Sequence, residues 1–534
     1  MEGQSIFRTF RFPLSHLPTF FLVIGYPVYW LELYLFRLGH GMSTPLAWVI
    51  AVFFSCYVFF RNSSFLKDGC RSFREWYLGE ALFVKFLLVF MAVTGAVTLL
   101  CSFYASLLPP HLVQEFDALN YHVTLPRQHL LRGSFNHIPW STADLYFLPV
   151  DFALAPFWLV TFLPNKLPQF IFFLGLLGIC SRISRRSSGG KIWPSVLLIF
   201  AVLGSHNIGI QMGTAMLDLA ICYLFFAALD SFFSGAIWLA VIELSFYFWS
   251  KPLIPLQFLT TLCVFGLIWI LLRFFGIKKG SWRFLDKNIL IKGLGLFIIL
   301  SVFLAGPFIY KSLRYSGTPI FPLGVGFFKD LSISQSPERW AELKLKADEL
   351  IAVKDNYGSG RNIVEFVRHL WLIAVPEKGV NNRYDYPLGL MYLLFIGPFL
   401  FLFFSSIKKK IIPILALWVI ASWSIWWFSS QQTRFLFIPL ILIYLVIVLS
   451  IKQPSRVLLI TMLGAMLLVG ASVYRANKPD LGKWGEAVLR KQDKELLNTS
   501  IIVFSSCDLA YARFPVKVSG NDTLFVLNTA ATYE

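Results

Sequence analysis

Apolar runs separated by short polar connections repeat along most of the chain, and many reach the roughly 18 residues a helix needs to cross a hydrocarbon layer. The pattern predicts spans at residues 17–38, 46–60, 82–107, 168–183, 193–210, 214–233, 236–250, 253–275, 289–310, 388–406, 411–428, 433–451 and 456–474, about thirteen helices in all. Residues 144–167 are also apolar, but Pro149, Pro156 and Pro164 interrupt them and Pro168 follows, so this stretch reads as an interfacial or re-entrant element. Basic clusters at Arg8 and Arg11, Arg61 to Arg74, Arg182 to Lys191, Lys278 to Lys292, Lys408 to Lys410 and Lys452 to Arg456 fall on one side of that pattern. The connections at 39–45 and 429–432 contain no Lys or Arg and fall on the other. Short cytoplasmic loops collect Lys and Arg, so the N-terminus is expected in the cytoplasm. An odd number of spans then puts the tail 475–534 outside, with the long loops 108–167 and 311–387.

Composition supports this reading. Of 534 residues, 57% are hydrophobic and 14% charged, with 55 Phe and 17 Trp, against about 25% charged in soluble domains. A soluble enzyme, a disordered chain and a nucleic-acid module are excluded as first readings. Lys and Arg number 47 against 29 Asp and Glu, a formal charge of +18, which in a membrane protein is loop bias that sets orientation. The seven cysteines, Cys56, Cys70, Cys101, Cys180, Cys222, Cys263 and Cys507, form no CxxC or metal-type spacing and read as small core residues. The first apolar segment has no small-residue cleavage site near it, so an uncleaved first helix is expected.

The chain accordingly divides into N-terminal transmembrane helices (1–107), a first external loop (108–167), a transmembrane core (168–310), a second external loop (311–387), further transmembrane helices (388–474) and an external soluble tail (475–534). In the second loop, Trp340, Leu343, Ala347 and Leu350 recur at helical spacing, an amphipathic helix expected at the membrane surface. In the tail, a helical stretch near 482–497 precedes strand-like runs at 501–506 and 523–527, which together read as a small α/β appendage. The fold class is thus an all-α polytopic membrane protein with external juxtamembrane helices and a small soluble appendage.

Chemistry concentrates in the first external loop, EFDALNYHVTLPRQHLLRGSFNHIPWSTADLYFLP (115–149), which holds Asp117, His122, Arg127, His129, Arg132, His137 and Asp144. On a helix Asp117 and Tyr121 share a face and His122 lies beside it. A carboxylate fixed there can deprotonate an acceptor hydroxyl. Arg132, His129 and His137 read as ordinary charges of an exposed loop. Asp218 opens an apolar helix, where an ionisable group has a partner or a function, its bland alternative being a carboxylate held by first-turn amides. Lys251 and Arg434 are cations at helix ends. Glu32 and Glu243 read as buried interhelical polar groups, and Trp423, Trp426 and Trp427 with Phe428 as an interfacial aromatic belt. Asp117, His122 and Asp218 are ligand types for a divalent cation, but their spacing diagnoses none, so no metal or other cofactor is assigned.

A loop of the form D-A-L-x-Y-H, then P-x6-G and a Pro-interrupted apolar segment, resembles the first external loop of the GT-C glycosyltransferases, relatives of protein O-mannosyltransferases and of the lipid A aminoarabinose transferase. The matching residues are Asp117, Tyr121, His122, Pro126, Gly133 and Pro149. Three further stretches, GTAMLDLAICYLFFAALD (213–230), FWSKPLIP (248–255) and SSQQTRFLFIPL (429–440), follow in the family's order with Asp218, Lys251 and Arg434, and GTPIFP (317–322) resembles its Gly/Pro turn. The resemblance covers residues 84 to about 450. It implies transfer of a sugar from a polyprenyl-phosphate donor to an extracytoplasmic glycan, lipid or protein acceptor by direct displacement. Asp117 would then be the catalytic base and Asp218 the second acidic residue, with Lys251 and Arg434 on the donor phosphate. Tyr121, His122 and Glu115 would lie against sugar or acceptor. The chain departs from the family pattern in two ways. Two helices precede the one that leads into the loop, and the adjacent acidic pair is replaced by Glu115-Phe116-Asp117. Residue usage reads as bacterial, which would place the protein in an inner membrane with a periplasmic active site. The alternatives are a transporter or flippase of a lipid-linked sugar, whose inverted repeats are not evident, and an O-antigen ligase or polymerase, which does not match the placement of Asp117.

Overall fold

The computed structural model describes residues 12–34, 43–107, 117–138, 141–157, 166–274, 287–333, 336–352, 355, 357–375, 384–408 and 414–476. Among them there is no strand, and the α-helices are α1 (Leu17–Tyr34), α2 (Ser43–Gly79), α3 (Leu82–Leu107), α4 (Thr124–Arg132), α5 (Pro149–Leu154), α6 (Leu167–Ser187), α7 (Ile192–Leu203), α8 (His206–Gln211) and α9 (Asp218–Phe233). They continue as α10 (Ile237–Phe248), α11 (Ile254–Phe274), α12 (Lys287–Ser316), α13 (Pro337–Ala352), α14 (Ile363–Leu372), α15 (Leu390–Lys408), α16 (Ile414–Phe428), α17 (Phe437–Ser450) and α18 (Arg456–Ala476). Each predicted span overlaps helix over its described residues, although 193–210 takes in two. Eight of the helices are long and apolar enough to cross a membrane, and four more, in α7, α10, α11 and α16, are apolar but shorter. The described part of the chain is all-α, and its candidate spans make it a multi-pass membrane protein. Glu115 and the tail from residue 477, with its expected appendage and Cys507, lie outside the described residues.

Side-chain exposure sorts the helices. α17 is buried from Leu440 to Val448 on all sides, as expected of a helix that is hydrophobic all round and enclosed by others. It packs against α7, α9, α15 and α16. By contrast α2, α3 and α12 present Phe53, Phe60, Val93, Leu100, Ile299 and Val302 outward, an apolar surface too large for water and suited to lipid. Three of the six described cysteines, Cys56, Cys70 and Cys263, are exposed, so the expectation that all are core residues is corrected. They sit on outer helices, and only Cys180 and Cys222 are buried.

Three expected boundaries shift. The basic stretch 61–74 is not a loop but the continuation of α2, whose 37 residues contain no proline to stop it past the first turn. The span 193–210 is two helices, because the chain turns at Gly204-Ser205. The Pro-interrupted stretch forms α5 and a 3-10 turn, Ala155–Phe157, with Val150, Phe152, Ala153 and Phe157 almost fully buried. Its described part, up to Phe157, is therefore packed against α1 rather than lying at an interface, which leaves the re-entrant reading standing, and residues 158–165 lie outside the described residues. Gly25 permits that contact, since a Cβ there would collide with the Ala153 carbonyl. Tyr29 of α1 also donates to the Pro126 carbonyl at 2.8 Å, so α1 belongs to the core that supports the first loop.

α13 exists as the periodicity predicts, but its apolar face does not lie on a membrane. Trp340, Leu343 and Ala347 are buried against Leu145 and Phe321, because the loop folds back over them. α9 carries a carboxylate near each end. Asp218 opens it, and Asp230, twelve residues and about 18 Å further along, meets Arg182, Arg186 and His16. Glu243 accepts from Thr19 and Ser231 and lies 2.6 Å from the His16 Nδ1, the interhelical role expected of it. Glu32 is buried as well.

Candidate functional site

Five segments deliver charged side chains to one end of the bundle. The chain enters from the first loop at Asp117 and makes a π turn, Ala118–His122, before α4 begins. Asp117 Oδ2 accepts from Arg434 Nη1 at 2.7 Å. Arg434 stands in the 3-10 turn Thr433–Leu436 that precedes α17, and its Nε lies 3.3 Å from Asp385 Oδ2. Lys251, in the turn after α10, donates to Asp218 Oδ1 at 2.8 Å. Phe435 links the pairs, with the Arg434 guanidinium 5.3 Å and the Lys251 ammonium 5.8 Å from its ring. Asp117, Asp218, Lys251 and Arg434, more than 300 residues apart at the extremes, are thus gathered at one end of the bundle.

Asp218 occupies the first residue of α9, where first-turn amides favour a carboxylate, yet its direct partner is Lys251. Its side chain is 4% exposed, while those of Asp117, Arg434 and Lys251 are 23%, 14% and 13% exposed. A ligand therefore meets Asp117 and the two cations before Asp218. A crevice runs from this polar end between α11, α16 and α17, with Asp218, Lys251 and Arg434 at one end and Phe258, Trp418, Ile425 and Ile438 along its walls.

His122 and Tyr121 follow Asp117 on the π turn. His122 Nδ1 lies 2.9 Å from Asp151 Oδ1, and both side chains are about 1% exposed. Burial, then the positive charges of Lys251 and Arg434, hold the His122 imidazole well below its usual range. Burial pushes the Asp151 carboxyl well up. Tyr121 stays a phenol, because burial and the neighbouring Asp117 raise it well above its ordinary value.

Two carboxylates at the site escaped sequence reasoning. Asp151 lies in α5, inside the Pro-bounded apolar run, and an acid in such a run was its available signal. Asp385 sits before Tyr386-Pro387 with φ of 78°, a left-handed conformation that costs a non-glycine residue about 1–2 kcal/mol. That backbone turns its carboxylate toward Arg434. Burial raises Asp385 to about 6 despite the pull of Arg434, with Asp218 and Asp117 adding to the rise.

A second buried network lies apart from these residues. Asp144 accepts from Lys311 Nζ at 2.7 Å and from the Ile138 amide at 2.7 Å, and lies 2.6 Å from His129 Nε2 and 3.1 Å from His137 Nδ1. All four side chains are at most 5% exposed. The reading of His129 and His137 as exposed loop charges is corrected, since they lock the loop to α12 from inside. Burial opposes ionisation of Asp144, yet Lys311 and His129 hold its carboxyl well below the usual range.

The tryptophans of α16 are not a lipid-facing belt. Trp423, Trp426 and Trp427 are buried and only Phe428 is exposed, because α14 covers them. His369 of α14 packs 4.4 Å from the Trp427 ring centroid and accepts from Trp423 Nε1 at 2.9 Å. Burial keeps His369 at about 4 against an ordinary 6.5. A proton at Nε2 would displace the Trp423 donor, and undocked His369 binds that proton first. Docking of α14 should therefore be complete above about pH 6.5 and weaken as pH falls toward 4. Near-ultraviolet circular dichroism across that range checks this, and His369→Gln, which keeps an acceptor but does not titrate, should flatten the response.

Among the described residues no three His, Cys, Asp or Glu side chains converge in a way that could hold a metal ion. No family model, curated protein or solved structure matches the chain.

Proposed function

We propose that this protein is an integral membrane glycosyltransferase of GT-C type, which moves a sugar from a polyprenyl-phosphate donor to an extracytoplasmic acceptor. The observation that carries the reading is the pair of cations, Lys251 and Arg434, at the polar end of an apolar crevice beside the partly exposed Asp117. Such an arrangement suits a lipid phosphate, with largely apolar walls for the hydrocarbon and cations for the charge.

In this reading the acceptor hydroxyl gives its proton to Asp117 as its oxygen bonds to the anomeric carbon. The bond from that carbon to the phosphate oxygen breaks, and polyprenyl phosphate leaves with its charge held by Lys251 and Arg434. Direct displacement inverts the anomeric centre. Arg434 already engages Asp117, and its fork of donors can hold carboxylate and phosphate together. As the phosphate draws on that positive charge, Asp117 becomes a stronger base, so donor binding prepares the base. Tyr121 and Glu115 are proposed to contact sugar or acceptor, whereas His122 is buried against Asp151, and the bacterial inner membrane with a periplasmic site is the proposed setting.

The test is transfer of radiolabelled sugar from a panel of synthetic polyprenyl-phosphate sugars by the purified protein. Transfer from at least one donor is the expected result. Lipid translocation in vesicles without transfer or hydrolysis of any donor would replace the reading with a flippase. Lys251→Gln should raise the KM for the active donor about ten-fold or more, the loss of one charge-assisted contact. It also leaves Asp218 buried without its partner, so Lys251→Gln/Asp218→Asn is the companion. The double variant should recover the thermal stability and not the donor affinity.

A further inference from the structure

α14 is the helix with the most conspicuous uncovered apolar face in the second loop. Ile363, Val364, Val367 and Trp371 form one stripe along it and are 74%, 62%, 63% and 61% exposed. Its other face carries Phe366, His369 and Leu370 into the core beside Trp423 and Trp427. Asn362 caps the helix by accepting from the Glu365 amide, so α14 is a formed element with two distinct apolar sides. Among the described residues, one side is occupied by protein and the other is not.

We propose that the outer face of α14 is seated in the boundary layer of the lipid bilayer, with Ile363, Val364, Val367 and Trp371 among the upper acyl carbons. Position supports this occupant. Arg361, just before the helix, donates to the Ser429 carbonyl at the end of α16. The chain leaving α14 bonds directly to the entry of α15, through Leu388 N to Ile373 O and Gly389 N to Ala374 O. α14 therefore lies level with the ends of two apolar helices, one of them a candidate span, and exposed Phe428 and Val375 extend the apolar surface on either side. Charge is compatible, since exposed Arg361 precedes the stripe and Arg368, half-exposed and paired with Glu365 at 2.8 Å, stands beside it, where lipid phosphates would lie. A second copy of the chain is a poorer occupant. One face of a helix about 15 Å long offers roughly half of the ~800 Å² per partner that a stable protein interface uses.

This seating also reaches the charged cluster. Ser359, ahead of α14, takes the Gln431 side chain as acceptor at 2.7 Å, and Tyr384, beyond it, donates to the Ser359 hydroxyl at 2.8 Å. The Thr433 amide donates to the Tyr384 carbonyl at 2.9 Å. Residues 431–433 run directly into Arg434, and Tyr384 directly into Asp385. Trp426, which packs on His369, is itself part of the crevice wall. Lipid that holds α14 in place thus holds the turn bearing Arg434 and the loop bearing Asp385. This mechanical link does not depend on which reaction the site performs.

The experiment places a benzophenone amino acid at 364, 367 or 371 of the full chain, in nanodiscs of phosphatidylethanolamine and radiolabelled phosphatidylglycerol. Lys346, on the polar side of α13, is the control position. The expected result is lipid cross-linking at all three α14 positions and little at 346. Cross-linked dimer at these positions, or no lipid adduct there while the outer face of α3 at Val93 is labelled, would overturn the proposal. In a second arm, Val367→Asp should lower the lipid adduct at 371 several-fold while Val367→Leu leaves it unchanged. An adduct at 371 indifferent to that charge would also overturn it.

Discussion

Asp117→Asn is expected to lower sugar transfer by about 10²–10⁴-fold, the range over which a positioned general base contributes, while the protein folds and binds donor. Asparagine has nearly the shape of aspartate and can still accept from Arg434, whose other carboxylate neighbour is Asp385. What it loses is the ability to take the acceptor proton. Because the charge on Arg434 is then less committed, donor affinity should be unchanged or tighter. Single-turnover transfer, donor binding and thermal unfolding on the same preparation separate these effects. Wild-type turnover in the variant would remove Asp117 from the mechanism. Loss of donor binding together with turnover would make Asp117 a positioning group for Arg434.

The largest stability effect is expected at Asp144. Asp144→Ala leaves Lys311, only 3% exposed, without its carboxylate, and strands the Ile138 amide and two histidines that converge on the same oxygens. Breaking a buried pair from one side costs about 3–5 kcal/mol, enough to abolish accumulation of a marginally stable protein. Asp144→Ala/Lys311→Met removes the stranded charge and should recover a large part of that loss, as measured by thermal unfolding in detergent. A double variant no more stable than Asp144→Ala would show that the histidines and the Ile138 amide, rather than Lys311, set the cost. Neither variant touches Asp117 or Arg434, so surviving protein should still bind donor.

Asp117 stood out through the density of functional groups in its loop, Asp218 as an acid opening an apolar helix, where charge is costly enough to need a reason, and Lys251 and Arg434 as cations at helix ends in stretches that resemble a known family. Their pairing was not legible, since a sequence gives no distance between residues 117 and 434. Asp385 and Asp151 were missed for the opposite reasons. Asp385 lies in a polar loop where one more acid carries no signal, and Asp151 lies in a stretch whose prolines made its fold ambiguous. His129 and His137 looked like exposed charge until the loop was seen to close over them and Asp144. The two amphipathic segments of the second loop show the same limit. Helical periodicity marks a face that must be covered, but protein and lipid satisfy the same periodicity. α13 found Leu145 and Phe321, whereas α14 spent its inner face on the α16 tryptophans and kept an outer one.

Sequence by itself determined that this chain crosses a membrane repeatedly as helices, because in hydrocarbon each span must satisfy its own backbone hydrogen bonds and therefore needs length and apolarity, both local properties. Tertiary structure alone decided which charges neutralise one another, which aromatic residues face protein, and which helix is left for lipid. Those outcomes depend on the free energy of removing particular groups from water beside particular partners, and the partners lie hundreds of residues away.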